Sequence, residues 1–157
     1  MHRVAYPTAA KVAETLIARG HPGVIVTRDE PTATAEEAAT ALGVDIGAIV
    51  KSIVFLLDDN PVMLLVSGRH RVNLERTGER LGGTLTPAPR EMVEHATGQP
   101  IGGIAPVGHP TNLPTYVDSA LGTHAVLWAA GGHPNTVFRT TYRELLRITA
   151  GLAVEVD

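Results

Sequence analysis

The sequence predicts an α+β fold in which helices surround a mixed, mostly antiparallel β-sheet. Two observations lead to this prediction. Segments with the composition of strands outnumber those with helical periodicity, and hairpins alternate with helices along the 157 residues. This order differs from the regular strand–helix repeat of a doubly wound parallel sheet. Because no repeat, low-complexity stretch or linker interrupts the chain, we expect residues 1–157 to form a single domain.

The N-terminal segment predicts two helices with a short strand between them. Apolar residues at helical spacing over 9–17 predict a helix that ends at Gly20, and residues 24–26 are typical of a short buried strand. Thr34 and Glu37 have the spacing of a capping box, in which each side chain accepts a hydrogen bond from a free backbone N–H. A second helix is therefore expected to begin at this point.

The clearest hairpin of the chain follows this helix. Residues 50–57 are aliphatic and β-branched, residues 58–61 are typical of a turn, and residues 62–66 form a second apolar run. Two apolar runs joined by a short polar turn predict a pair of antiparallel strands. Two more helices are expected over 73–81 and 89–98, because each segment has a helical pattern followed or ended by glycine.

The C-terminal segment returns to strands. Strands are expected over 115–117, 124–130, 136–138 and 152–156, and a capped helix is expected to begin after Thr141. Turn residues, including a pair of glycines, separate the second strand from the third. This segment therefore supplies most of the strands beyond the hairpin.

Composition excludes several functional classes. The chain has no cysteine, which excludes disulfides, thiolate nucleophiles and cysteine-ligated metals. Its seven histidines lack zinc-ligand spacing, so we expect no metal and no other cofactor. No apolar segment reaches the roughly 20 residues that cross a bilayer, and residues 1–7 lack the apolar core of a signal peptide. We therefore expect no membrane partner and a cytoplasmic location.

Charge is informative only locally. The formal net charge of −3 argues against a protein that coats nucleic acid non-specifically. Basic residues nevertheless cluster at 69–71, and Arg139, Arg143 and Arg147 recur at intervals of four. A row of this kind indicates either a solvated helix face or a surface that contacts nucleic acid, and both interpretations stay open.

One loop and one lysine carry the strongest functional signal. Residues 100–108 contain three glycines and two prolines, so their backbone is stiff and largely free of Cβ atoms. Lys51 is the cation of an otherwise apolar segment, residues 49–57. Together they are suited to binding a small polar ligand between backbone N–H groups and an ammonium. A tight turn plus a surface lysine is the alternative.

Nucleophilic mechanisms find little support in the sequence. None of the three serines lies in a GxSxG motif, and the glycine-rich loop lacks the features of a Walker or dinucleotide-binding motif. What remains is a site made of backbone amides, one lysine and at most one histidine. Such a site could hydrolyse an activated bond by fixing a water molecule and stabilising an oxyanion. An ester between an amino acid and a ribose hydroxyl is such a bond.

A family resemblance extends over nearly the whole chain. Residues 36–44 resemble a helix that precedes a key lysine in one family, and Lys51 with Ser52 resembles that lysine and its small hydroxyl neighbour. Residues 102–108 are similar to the same family's Gly-Gly-Ile-Ser-Pro-x-Gly loop, and residues 130–132 resemble its C-terminal part. The family is YbaK/ProX, free-standing bacterial aminoacyl-tRNA deacylases related to the editing insert of bacterial prolyl-tRNA synthetases.

The resemblance implies the YbaK/ProRS-associated domain fold and a trans-editing deacylase. Such an enzyme hydrolyses a wrong amino acid from the 3′ end of a mischarged tRNA, most often the tRNA for proline. In the branch that this chain most resembles, that amino acid is typically cysteine. A ternary complex with prolyl-tRNA synthetase is a further expectation. The implied catalytic residue is Lys51, and the implied substrate-binding loop residues are Gly102, Gly103, Pro106 and Gly108.

Five further residues are candidates for substrate binding. Ser52 is expected to contribute a hydroxyl to the ligand and not to act as a nucleophile. Asp118, near a strand end, orients the substrate's α-amino group or caps a turn. Gly131 and Gly132 lie in the segment that resembles the family's C-terminal part. His133, next to them, is either a pocket residue or a plain turn residue.

The mechanism that we predict needs no protein nucleophile. Lys51 would bind the terminal adenosine or the aminoacyl carbonyl through charge-assisted hydrogen bonds, and the amides of Gly102 and Gly103 would cradle the aminoacyl group. Ala105 stands where the family often has serine, which leaves the preferred amino acid open. Trp128 is expected to pack in the core. A regulatory or ligand-binding module with the same pocket but no turnover is the alternative function.

Overall fold

A computed structural model describes residues 6–157 of the chain and confirms the α+β architecture. In these residues, eight strands form one sheet and five α-helices pack around it. The helices are α1 (Pro7–Ala18), α2 (Ala35–Leu42), α3 (Leu74–Leu81), α4 (Arg90–Thr97) and α5 (Tyr142–Thr149). The strands are β1 (Val26–Thr27), β2 (Ile49–Leu57), β3 (Asn60–Ser67), β4 (Leu85–Pro87), β5 (Thr115–Asp118), β6 (Leu127–Ala130), β7 (Thr136–Thr140) and β8 (Leu152–Val154).

The sheet is mixed, as the sequence predicts. Its order is β1-β7-β6-β2-β3-β5-β8, and β4 is an additional partner of β2. Within residues 6–157, four pairings are antiparallel (β1–β7, β6–β7, β2–β3, β2–β4) and three are parallel (β2–β6, β3–β5, β5–β8). The parallel pairings place strands that are distant in sequence on both sides of the central hairpin.

Most local signals of the N-terminal half are confirmed, but the strand predicted over 24–26 lies at Val26–Thr27 and is not buried. Thr34 and Glu37 form a capping box at the start of α2, and Gly43 ends this helix with a φ of 66°. The hairpin turn is shorter than expected, because β3 already begins at Asn60. Only Asp58 and Asp59 lie in the turn, with φ angles of 48° and 67°. Two residues of positive φ suit the right-handed twist of the flanking strands.

The two faces of the sheet pack against different apolar clusters. Side chains alternate along a strand, so Val50 and Val54 point to one face of β2 and Phe55 to the other. The first face packs against α1, α4 and α5 in the larger cluster, and the second packs against residues such as Leu85 and Val154. The larger cluster reaches the loop 100–108 and therefore surrounds the region where a ligand site is expected.

The arginine row of the C-terminal segment does not lie on one helix face. Arg139 belongs to β7, whereas Arg143 and Arg147 belong to α5. Arg147 donates hydrogen bonds to Glu144 and to the carbonyl oxygen of Arg19, so it ties α5 to the end of α1. The spacing of four thus runs from a strand into a helix, which corrects the interpretation of the row as one helix face.

No helix in the described part of the chain has the length and apolar character that crossing a membrane requires.

Candidate functional site

The central strand β2 has an interruption along one of its edges. On one side, β3 pairs with it continuously over residues 50–57. On the other side, β6 pairs with Ile49 and Val50, and β4 pairs with residues 55–57. Residues 51–54 therefore have no strand partner on that edge in the part of the chain that the structure describes. These four residues are called the β2 gap below.

The main chain of the β2 gap faces this opening. The carbonyl oxygen of Ile49 accepts a hydrogen bond from the N–H of Gly68 at 2.7 Å, so Ile49 points its polar groups towards β3. Backbone polar groups alternate in direction along a strand. The N–H and C=O groups of Ser52 and Val54 are therefore directed away from β3 and into the gap. A ligand placed there would meet main-chain polar groups of β2.

A cavity of about 500 Å³ occupies the β2 gap. That volume is within the range of pockets that hold small molecules, and most of its wall is apolar. Lys51 and Glu36 are the charged residues of the lining among residues 6–157. The apolar wall includes Val54, Ala88, Val93, Ile104, Ala129 and Val137.

Lys51 lines this cavity with a half-buried side chain. Its Nζ donates a hydrogen bond to the carbonyl oxygen of His70 at 2.5 Å. Burial lowers the pKa of Lys51, because the ammonium loses hydration. The Glu36 carboxylate opposes this shift, whereas the charge of Arg71 adds to it. The result is a cation that is held in place and only partly solvated.

A buried carboxylate fixes the segment that holds Lys51. Asp118 is 1% exposed and accepts hydrogen bonds from the N–H groups of Ser67 and Ala120, each at 3.0 Å. One of its oxygens also lies 2.9 Å from Nδ1 of His70. Asp118 thus caps the 3-10 helix after β5 and anchors the segment whose carbonyl binds Lys51. It does not line the cavity, so the geometry is that of the capping interpretation.

Within the loop 100–108, only one glycine of the predicted pair faces the ligand space. Gly102 lines the cavity with a φ of 94°, a conformation that favours glycine. The N–H of Gly103 instead donates to the carbonyl oxygen of Pro100 at 3.0 Å, so it is not free to cradle a substrate. A Cβ on Gly103 would lie 2.2 Å from the carbonyl carbon of His133. Gly103 is therefore required for packing, which corrects the predicted role of its amide.

The remaining predicted residues support the loop from behind. The N–H of Gly132 donates to the carbonyl oxygen of Gly103 at 2.8 Å, and His133 stacks on Tyr6 with ring centroids 3.7 Å apart. Of the ten predicted site residues, Lys51, Ser52 and Gly102 line the cavity. The other seven lie outside its lining: Gly103, Pro106, Gly108, Asp118, Gly131, Gly132 and His133.

Sequence reasoning missed Gln99, which holds the loop from inside. Its buried side-chain amide donates to the carbonyl oxygen of Val107 at 3.0 Å and accepts from the N–H of Ala105 at 2.7 Å. His109 lies 2.8 Å from the carbonyl oxygen of Ala105, and burial lowers the pKa of its imidazole. Both backbone groups of Ala105 are thus engaged within the protein. No local motif marks Gln99, because its partners lie six and eight residues ahead.

Two residues of the cavity wall were also missed or misplaced by sequence reasoning. Thr32 lines the cavity, and its buried hydroxyl has no hydrogen-bond partner within the described residues; the Ser52 hydroxyl shares this property. Trp128 was expected in the core but is half-buried and lines the cavity from β6.

Within residues 6–157, no three histidine, aspartate or glutamate side chains are grouped to hold a metal ion.

Comparison with known sequences identifies relatives of this chain. The model of the aminoacyl-tRNA editing domain matches residues 29–148. The uncharacterized protein YwhH of Bacillus subtilis is 30% identical over 116 residues, which are 73% of each chain. The proline–tRNA ligase of Geobacter sulfurreducens is 40% identical over 87 residues, which are 55% of this chain but 15% of the ligase. This chain therefore corresponds to a small part of that ligase.

Comparison with solved structures agrees. A protein proposed to be a trans-editing enzyme for prolyl tRNA synthetase has a crystal structure that matches with a TM-score of 0.91 at 40% identity. The match covers 98% of this chain and 99% of the other. The sheet and the helices around it are therefore a fold that this family shares.

Proposed function

The chain belongs to the aminoacyl-tRNA editing domain family, and we propose that it hydrolyses the ester bond of a mischarged tRNA in trans. The proposed substrate is the tRNA for proline that carries cysteine or a similarly small amino acid. One observation carries this proposal: Lys51, a half-buried ammonium, and Gly102, a backbone free of Cβ, line the same cavity. An ammonium and a closely approachable backbone can together stabilise an oxyanion without a protein nucleophile.

The reaction follows from the groups that line the cavity. Lys51 donates hydrogen bonds to the ester carbonyl or to the terminal ribose, and a water molecule adds to the carbonyl carbon. The bond to the ribose oxygen then breaks, that oxygen takes up the proton released by the water and becomes a hydroxyl, and free amino acid and tRNA leave. Developing negative charge is stabilised by the ammonium in a partly desolvated site. With a cysteinyl ester, the substrate's own thiol can attack the carbonyl carbon in place of water; a cyclic thioester forms, the bond to the ribose oxygen breaks, and the thiol proton passes to that oxygen.

The apolar wall supports selection for small side chains. Val54, Val93 and Ile104 belong to the close-packed core cluster and therefore cannot yield easily to a larger group. Gly102 approaches the Cβ of Ala33 closely, since a Cβ added to this glycine would lie 3.3 Å away. Backbone and core residues thus define the walls of the cavity. An amino acid larger than the space between them would be excluded by overlap.

The proposed partners follow from the family and its relatives. The similarity to part of a proline–tRNA ligase supports the tRNA for proline as the carrier of the mischarged residue. Prolyl-tRNA synthetase is proposed as a second partner in a ternary complex. The exposed Arg69 and Arg71 flank His70, whose carbonyl oxygen accepts the hydrogen bond from Lys51, and we propose that they contact the phosphates of a tRNA 3′ end.

The test is a deacylation assay with a matched lysine control. Cysteinyl-, alanyl- and seryl-tRNA for proline are incubated with the protein, and released amino acid is measured. Lys51→Ala is expected to lower the rate at least about 100-fold, the size of one lost oxyanion contact. Lys11→Ala removes the other lysine of the chain, which is exposed on α1, and should leave the rate unchanged.

Two results would contradict the proposal. Near-wild-type rates in Lys51→Ala would exclude the role of the ammonium. Tight binding of a charged tRNA without release of its amino acid would identify a ligand-binding module instead of an enzyme.

A further inference from the structure

We infer that Glu36 binds the α-ammonium group of the aminoacyl ester, so that the site recognises a free amino group as well as a small side chain. The inference rests on the proposed deacylase function and adds a recognition element to it. Glu36 lines the cavity in the first turn of α2. With Lys51, it gives the lining one charge of each sign within the described residues.

The geometry of α2 separates the roles of its two adjacent acidic residues. The Glu37 side chain accepts the N–H of Thr34 at 3.1 Å and completes the capping box, so it is occupied by the fold. Glu36 has neither a hydrogen bond nor an ion pair in residues 6–157, and its side chain is exposed at the cavity rim. Its carboxylate is therefore available for a ligand.

The two charges of the lining suit the two ends of an aminoacyl group. Glu36 lies close enough to Lys51 to oppose the fall in the pKa of its ammonium, yet the two side chains do not form an ion pair. An aminoacyl ester presents a cationic α-ammonium close to an electron-rich carbonyl oxygen. The carboxylate can bind the first while the ammonium of Lys51 binds the second. A phosphate beside Glu36 would be repelled, so this part of the rim favours a cation.

A consequence follows for substrate choice. An ester whose amino group is acylated, as in a peptidyl-tRNA, carries no ammonium for Glu36 to bind. It would leave the carboxylate unpaired beside bound substrate and would therefore bind less well. Glu36 thus restricts hydrolysis to single amino acids. An acidic residue in the first turn of a helix also stabilises that helix through its macrodipole. The test must therefore separate a loss of substrate recognition from a loss of helix stability, and activity alone does not do this.

The experiment compares two substrates and three proteins. The fastest mischarged tRNA of the deacylation assay is prepared with its normal α-amine and with an α-hydroxyl in the same position. The hydroxyl is close in size but uncharged, so it removes the charge without adding bulk. The kcat/KM of both esters, corrected for spontaneous hydrolysis, is measured for wild type, Glu36→Gln and Glu37→Gln. Glutamine keeps the capping box in the control variant.

We expect wild type to prefer the α-amino ester about tenfold, the scale of one charge-assisted hydrogen bond. Glu36→Gln should lose most of this preference by slowing the α-amino ester alone, and Glu37→Gln should keep it. An equal loss on both esters in Glu36→Gln would mean that the carboxylate acts through Lys51, which overturns the inference. An unchanged preference overturns it as well. If wild type hydrolyses no mischarged tRNA, the proposed function itself fails and the inference fails with it.

Discussion

The loop 100–108 and the β2 gap bound the same cavity but treat their polar groups in opposite ways. In the loop, the side chain of Gln99 satisfies two backbone groups, and Gly103 donates to one carbonyl while it accepts from Gly132. In the gap, backbone groups of β2 face the cavity, and the Ser52 hydroxyl has no partner within the described residues. The polar groups of the loop therefore stabilise the fold, whereas those of the gap are available to bind a ligand.

This difference teaches that the glycine-rich loop is mainly a support. The loop positions Gly102 and part of the apolar wall, and most of its residues lie outside the cavity lining. The gap contributes the groups that distinguish one ligand from another. Substitutions in the loop should therefore change the free energy of unfolding, whereas substitutions in the gap should change catalysis at nearly constant stability.

The largest effect is expected for Gly103→Ala. The added Cβ would lie 2.2 Å from the carbonyl carbon of His133, so one of the two backbones has to move. We expect a loss of about 3 kcal/mol or more in the free energy of unfolding, measured with urea. Gly82→Ala is the control, because its Cβ would meet nothing within 4 Å, so that only its positive φ of 80°, which Gly103 does not share, opposes alanine. Its cost should stay near 1 kcal/mol, and equal losses would contradict the packing argument.

The next effect is expected for Gln99→Leu. Leucine is similar in size but leaves the N–H of Ala105 and the carbonyl oxygen of Val107 buried without a partner. Two unsatisfied buried groups should lower the free energy of unfolding by about 2–4 kcal/mol. Asn60→Ala removes an exposed side-chain hydrogen bond as the control and should cost under about 0.5 kcal/mol. A loss of similar size in both variants would show that the loop does not depend on Gln99.

The sequence predicted those parts of the fold that local patterns determine. The capping box of Thr34 and Glu37 and the hairpin over residues 50–66 were recognisable because interacting residues lie close together in the chain. β4 was missed, since it has three residues, ends in proline and buries one side chain. The gap depends on β4 and so could not be predicted.

The candidate site was predicted only in part for a similar reason. Lys51, Ser52 and Gly102 carry motif signals and do line the cavity. The bond between Asp118 and His70 joins residues 48 positions apart, and no local pattern indicates it. Loop glycines gave a further difficulty, because a glycine needed for packing has the same appearance in sequence as one that faces a ligand. The structure separates Gly103 from Gly102 by the neighbours of each Cβ position and by the hydrogen bond from the Gly103 N–H to Pro100.

An intermediate effect should separate two serines. Ser67→Ala removes a buried hydroxyl that donates to the carbonyl oxygen of Gly47 at 2.8 Å, which should cost about 1–2 kcal/mol of stability. Ser52→Ala removes a buried hydroxyl without a partner in residues 6–157, so stability should stay equal or rise slightly. Deacylation should fall about fivefold in Ser52→Ala if the hydroxyl rotates to the ligand. Unchanged activity together with lower stability would assign Ser52 to the scaffold.

The smallest effect concerns the pH dependence that Lys51 gives to stability. Burial lowers its pKa in the folded state below the ordinary value of 10.5, so the unfolded chain binds more protons between these two pKa values. Stability should therefore rise with pH on account of Lys51 in that window, and the burial penalty should be fully present at lower pH. The change should stay below about 1 kcal/mol, because solvent screens a half-buried charge.

Urea unfolding of wild type and Lys51→Met between pH 8 and pH 10.5 measures this contribution. The stability of wild type relative to Lys51→Met should increase with pH across the range. If this relative stability decreased with pH, the folded state would stabilise the Lys51 ammonium, as an ion pair at the surface does. In that case the polar groups of the β2 gap would be satisfied within the protein, as those of the loop are, and the contrast between the two regions would fail.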